Sequence, residues 1–111
     1  MKEILDEFSH IIKTVEFSSS VEKYGFQFLK VKLRLVDGSS LRVWEKRFKG
    51  SLKRYSYYWL DEIDNQIIGW DNAPHHPEVE TFPNHKHVGG KFLASRDKLL
   101  DVLKYIAHRL K

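Results

Sequence analysis

Between Phe28 and Leu35 apolar and basic residues alternate without a break, with Leu29, Val31, Leu33 and Leu35 on one phase and Lys30, Lys32 and Arg34 on the other. A period of two is the pattern of a strand with one buried and one wet face. It commits the rest of the chain to supplying partner strands and a cover for the apolar phase. Asp37-Gly38-Ser39 supplies a turn, and facing strands must keep their apolar residues on one side. Leu41 and Val43 are therefore expected opposite Leu35 and Leu33, through an odd-numbered loop. The same register puts Trp44 among Lys32, Arg34, Arg42 and Lys46 on the wet face. A second hairpin follows. Tyr55 to Leu60 is rich in aromatic residues that favour a pleated sheet, and Asp61 to Asn65 turns the chain back through Gln66 to Asp71. An in-phase pairing places Tyr57 opposite Gly69 and Tyr55 near Asp71.

Outside these hairpins the period changes. Ile4, Leu5, Phe8, Ile11, Ile12 and Val15 recur at helical spacing, which predicts a helix over 1–17 that ends at Ser18-Ser19-Ser20. Near the other end Leu99, Val102, Leu103, Ile106 and Leu110 form one stripe, predicting a helix over 95–111 with Ser95 as its cap. Residues 72–94 have neither period and hold all three prolines and four of the six histidines. They read as a His-rich loop, ordered or functional, because a structureless connection of this length is uncommon in a compact domain. The expectation is a single α+β domain over 1–111. Its two hairpins (26–71) form a four-stranded antiparallel meander, and both helices cover the Leu29/Val31/Leu33 face. The opposite face stays open, basic and aromatic.

A length of 111 residues allows a domain of this kind to bury a core without staples. No window is apolar and uncharged for long enough to cross a bilayer, so no membrane partner is expected. Acids at Glu3, Asp6 and Glu7 interrupt what a secretory signal would need, which makes the cytoplasm the default location. The absence of cysteine removes disulfides, thiolate nucleophiles and thiolate zinc sites, and leaves histidine to carry any soft-ligand chemistry.

The net charge of +4 is modest, but it is unevenly placed. Arg42, Lys46, Arg47, Lys49, Lys53 and Arg54 face a single acid, Glu45, between positions 42 and 54. Such a stretch attracts a polyanion, although basic residues on an edge strand also serve simply to block aggregation. With Tyr57 and Trp44 as stacking rings, the residues expected to contact nucleic acid are Lys32, Arg34, Arg42, Trp44, Lys46, Arg47, Arg54 and Tyr57.

Chemistry, if any, is expected in the segment from Asp71 to His87. His75, His76, His85 and His87 accompany Lys86 just beyond a strand end, where a rigid scaffold can hold them. Paired imidazoles suit a general base with a general acid near neutral pH. Cleaving RNA needs those two plus a cation for the phosphoryl oxygens, for which Lys86 or Arg54 is available. That reading requires no metal or other cofactor. A competing reading converges three imidazoles on zinc with Asp71 as ligand or outer partner, although no HExxH-type spacing is present. The plainest reading makes these histidines hydrogen-bonding turn residues in a proline-shaped loop.

The run Tyr58-Trp59-Leu60-Asp61, followed by Trp70-Asp71-Asn72-Ala73-Pro74-His75-His76-Pro77 and Phe82-Pro83-Asn84-His85-Lys86-His87, resembles the TumE family. These are small proteins paired with a helix-turn-helix antitoxin in prokaryotic toxin-antitoxin modules. The resemblance covers roughly the C-terminal half. It departs from the family at Asn84, where members often carry a further histidine, and this makes His85 and His87 the stronger candidates. It implies a growth-inhibiting toxin of a type II module, neutralised by direct binding and directed at RNA or the translation machinery. The leading expectation is thus an RNA-binding toxin that cleaves its target with Asp71, His75, His76, His85, Lys86 and His87, forming a homodimer when its antitoxin is absent. The alternatives are a noncatalytic protein-interaction module and a metal-binding hydrolase built on the same histidines.

Overall fold

A computed structural model of the chain describes residues 1–110. Helix α1 (Lys2–Glu7) leads into seven strands: β1 (Ile12–Lys23), β2 (Phe26–Leu35), β3 (Ser40–Phe48), β4 (Ser51–Leu60), β5 (Gln66–Asp71), β6 (His85–Val88) and β7 (Lys91–Ala94). Helix α2 (Leu99–Arg109) closes the order. The strands pair consecutively and antiparallel in one sheet, β1 to β7, so the expected four-stranded α+β meander is corrected to a sheet-dominated seven-stranded one.

Each added strand has a local cause. Only Lys2–Glu7 is helical where the spacing predicts a helix over 1–17. Beyond Ile12 the chain is rich in Thr, Val, Phe and Ser, types that pack well on a pleat or compete with helical hydrogen bonds. It pairs with β2 from Ile12↔Leu35 to Lys23↔Phe26. Tyr24 and Gly25 turn the hairpin with φ of 54° and 83°, the positive values that match the twist of a tight hairpin. At the other end the predicted loop over 72–94 contains β6 and β7, joined by Gly89 and Gly90 at φ 56° and 78°. Glycine reaches these angles without a Cβ penalty.

The alternating phases of the central strands fall on the expected faces, but their registers differ from expectation. Leu41 pairs with Leu33 and Val43 with Val31, a displacement that preserves the face. In the second hairpin Tyr57 pairs with Trp70 and Tyr58 with Gly69, which exchanges the faces of the two tyrosines. Tyr57 is fully buried, and its hydroxyl donates to the buried carboxylate of Glu45. Burial is the main reason its phenol is pushed far above the ordinary range, and the Glu45 carboxylate adds to the effect.

The core lies between one sheet face and α2. Leu99, Val102, Leu103 and Ile106 of the helix are buried together with Val31, Leu33, Val43, Tyr57 and Trp70. Tyr105 meets the rings of Trp59 and Trp70 edge-on, at centroid distances of 6.3 and 6.0 Å. Helix α1 buries no residue of its own, and it is Phe8 and Ile11 after it that enter the core. Ser95 is not the cap of α2. The helix starts at Leu99, where Asp101 accepts the Lys98 N–H at 3.0 Å, while the Ser95 N–H donates to Thr81 Oγ1 at 2.9 Å. No helix among the described residues lies over the opposite sheet face. Among the described residues no helix is long and apolar enough to cross a membrane.

Candidate functional site

Strand alternation puts Gly69 and Asp71 of β5 on the helix-free face, and the pairings Gly69↔His87 and Asp71↔His85 bring two imidazoles of β6 beside them. The segment between the strands is pinned rather than loose. Asn72 continues the β4–β5 ladder with its side chain, accepting the Tyr55 N–H and donating to the Lys53 carbonyl, each at 2.9 Å. The Tyr55 hydroxyl in turn donates to Asn84 Oδ1 at 2.9 Å. Position 84 therefore serves to anchor the loop, not to add a ring to the histidine cluster.

Within this frame Asp71 and His85 are buried and His87 is partly exposed. Asp71 Oδ1 lies 3.1 Å from His85 Nε2, and Asp71 Oδ2 lies 3.0 Å from His87 Nε2. The two Nε2 atoms are 3.0 Å apart. On its other side His85 Nδ1 meets the Pro83 carbonyl at 2.9 Å. A carbonyl oxygen can only accept, so this nitrogen carries a proton and donates it. The Ala73 N–H donates to Asp71 Oδ1 at 2.9 Å, fixing the carboxylate. Asp71, His85 and His87 thus form a group whose ligand atoms could hold a metal ion.

The other predicted residues surround this centre or lie apart from it. His76 stacks on Phe92 with centroids 3.5 Å apart and meets His85 edge-on at 5.1 Å, while its Nδ1 faces Glu78 at 3.2 Å. His75 is exposed at the mouth. Together with Asp71, His85, His87, Arg54 and Tyr58, these two line one cleft of about 380 Å³. Lys86 is not among its walls. It alternates to the helix side of β6, paired with Trp70 and Leu93. Tyr58 sits beside the carboxylate, and its phenol is pushed upward by burial first and by Asp71 second.

The basic residues divide in the same way. A groove of about 520 Å³ crosses the helix-free face between Phe17, Lys30, Lys32, Arg42, Trp44 and Tyr58. Trp44, Ser56 and Tyr58 line both this groove and the histidine cleft. Arg34 is occupied by Glu16 at 3.1 Å and by the Gly38 carbonyl at 2.9 Å, and Lys46 lies over the Phe26 ring at 5.0 Å, away from the cleft. Two expected contacts belong to the other face. Arg47 pairs with buried Glu45 at 3.3 Å, and Tyr57 is inside the core, where no base can stack on it. Sequence reasoning missed Phe17, hidden inside a predicted helix, and Tyr58, displaced by the register. The Phe17 signal was present in the β-favouring run that follows Ile12.

Neither a curated protein nor a solved structure matches the chain significantly. A family model described as Toxin TumE matches residues 1–110, and its span includes the strands that carry the histidine cleft as well as those of the basic groove. A match over nearly the whole sequence extends the resemblance seen in the Asp71–His87 motif to the N-terminal strands, and with it a toxin role and the expectation of an antitoxin partner. The chain belongs to the TumE toxin family.

Proposed function

We propose that this toxin acts on RNA, holding a single strand across the helix-free face and cleaving it at the Asp71/His85/His87 centre. The observation that carries this reading is the continuity of the two cavities, which share Trp44, Ser56 and Tyr58 as a common wall. Trp44, Tyr58 and Phe17 offer rings on which unpaired bases stack, while Lys30, Lys32 and Arg42 lie where a phosphate backbone would run. A strand lying in the groove and continuing past Tyr58 brings a phosphodiester to the histidine cleft, with Arg54 at its edge to stabilise charge on the phosphoryl oxygens. RNA suits the site better than DNA because its 2′-hydroxyl is a nucleophile already in place. In this scheme a helix-turn-helix antitoxin neutralises the toxin by covering the same face, and Lys86, Arg47 and Tyr57 contact no RNA.

The test pairs binding with breakdown. Affinity for a short single-stranded RNA should fall steeply between low and physiological salt, since each neutralised phosphate contributes a slope of about −0.7 for a single strand. Trp44→Ala should weaken binding, and His87→Ala should spare binding while stopping cleavage and growth arrest. Flat salt dependence, or undiminished RNA breakdown by a folded His87→Ala variant, would overturn the proposal.

A further inference from the structure

We infer that Asp71, His85 and His87 bind one divalent transition-metal ion of the zinc class, with its remaining coordination positions open to the cleft. The argument begins with protons. His85 Nδ1 must donate to the Pro83 carbonyl, so in the neutral ring Nε2 carries a lone pair. That lone pair faces Asp71 Oδ1 at 3.1 Å and His87 Nε2 at 3.0 Å. In the neutral ring, that lone pair and Asp71 Oδ1 are two acceptors held together in a buried place, which repel one another unless a positive centre lies between them. His87 Nε2 can turn its own lone pair to the same centre in the tautomer protonated at Nδ1.

A metal ion satisfies all three at once. Ligands at zinc distances in a tetrahedron stand about 3.3 Å from one another. The two nitrogens stand 3.0 Å apart, and the carboxylate meets them through different oxygens, Oδ1 at 3.1 Å from His85 and Oδ2 at 3.0 Å from His87. To admit the ion the rings must move outward and the carboxylate must turn one oxygen, or both, to it. Two imidazoles and one carboxylate are a donor set that leaves a position for water or substrate. The outer contacts fit as well. The Nδ1–H of His85 held by a backbone carbonyl fixes the tautomer and the ring orientation, and the Ala73 N–H holds the carboxylate. His76 is kept back by its stacking on Phe92 and its contact with Glu78, so it borders the open side without joining the set. That open side is the cleft wall formed by Tyr58 and Arg54, where a phosphoryl oxygen would arrive. The catalytic use of the ion rests on the RNA reading, whereas the site itself does not.

Metal content is therefore measured without RNA. Protein purified with no polyhistidine tag and no chelator, then dialysed, should carry about one zinc per chain by mass spectrometry. The metal-free protein should take up one cobalt(II) with the visible absorption of a low-coordinate site. His87→Ala is the informative variant because that ring is partly exposed, and once circular dichroism shows it folded it should weaken zinc binding by more than about 100-fold. His108→Ala on α2 should leave binding unchanged. Absence of stoichiometric metal, with nitrogen-15 spectra showing both ring nitrogens of His85 protonated and unmoved by added zinc, would replace the metal with a proton and overturn the inference. Zinc affinity unchanged in His87→Ala would also overturn it. Loaded protein that fails to cleave RNA would sink the RNA reading alone, and equal cleavage by chelator-treated protein would remove the ion from the reaction.

Discussion

Gly69→Ala isolates one close approach beneath the site. Gly69 sits in the middle of β5 under the ring of Tyr58, and a Cβ built there would lie 2.8 and 2.9 Å from two ring carbons. It would also lie 2.8 Å from Gln66 Nε2, the end of a flexible side chain that can swing away. The Tyr58 ring is less free, since it packs in the wall between groove and cleft. Ordinary contact begins at 3.4 Å, so ring and strand must separate by roughly 0.6 Å. Overpacking of this kind costs about 1–3 kcal/mol, and at roughly 5 °C per kcal/mol the midpoint of thermal unfolding should fall accordingly. The backbone at Gly69 is not left-handed, so the cost is steric and depends on the neighbouring ring. Urea unfolding of the wild type, Gly69→Ala, Tyr58→Ala and the double variant forms the cycle that tests this. In the Tyr58→Ala background the alanine at position 69 should cost less than about 0.5 kcal/mol. An alanine that is neutral in the wild type, or equally costly in both backgrounds, would refute the reasoning.

Asn72→Ala removes both side-chain bonds that extend the β4–β5 ladder, leaving the Tyr55 N–H and Lys53 carbonyl without these partners. It should destabilise by about 1–3 kcal/mol and speed amide exchange at Tyr55, measurable by hydrogen exchange. The phenols of Tyr55, Tyr57 and Tyr58 are all raised, chiefly by burial. A group whose folded pKa exceeds its unfolded value adds stability below the unfolded pKa and loses it as pH rises, so the unfolding midpoint should decline above about pH 10. Tyr57→Phe should flatten that decline while lowering stability by about 1–3 kcal/mol at neutral pH, because Glu45 loses its buried donor. Lys86→Ala should leave RNA affinity and breakdown near wild type, whereas Arg54→Ala should lower breakdown at least tenfold, as measured on a labelled oligonucleotide.

The central strands were legible because Leu29 to Leu35 state their period without ambiguity and the buried phase had to find a cover. Their faces followed, but the registers did not, since Val31 and Leu33 are equally acceptable neighbours for Val43. β1 was hidden because Ile11, Ile12 and Val15 satisfy a helical spacing while the residues after them favour a sheet. β6 was hidden for a chemical reason. In His85-Lys86-His87-Val88 the inward positions on the helix-free side are imidazoles, so hydropathy alternation carries no sign of a strand. The same residues stood out by composition, and Asp71, His75, His76, His85 and His87 do line one cleft. The placement of Lys86 was missed through the same unread strand, whose pleat turns it to the other side.

Consecutive pairing along the whole sheet also has a kinetic consequence. Neighbours in sequence are neighbours in space, so folding can proceed by adding hairpins without closing long loops, the favourable extreme for a β topology. Asp71 ends the fifth strand, but the imidazoles arrive on the sixth, near the end of the polypeptide. The groove is lined wholly from the first four strands, whereas the cleft waits for His85 and His87. Because α2, which covers the apolar face, follows the β6–β7 hairpin, the groove gains its packed support and the cleft its imidazoles only as the last segments of the fold dock.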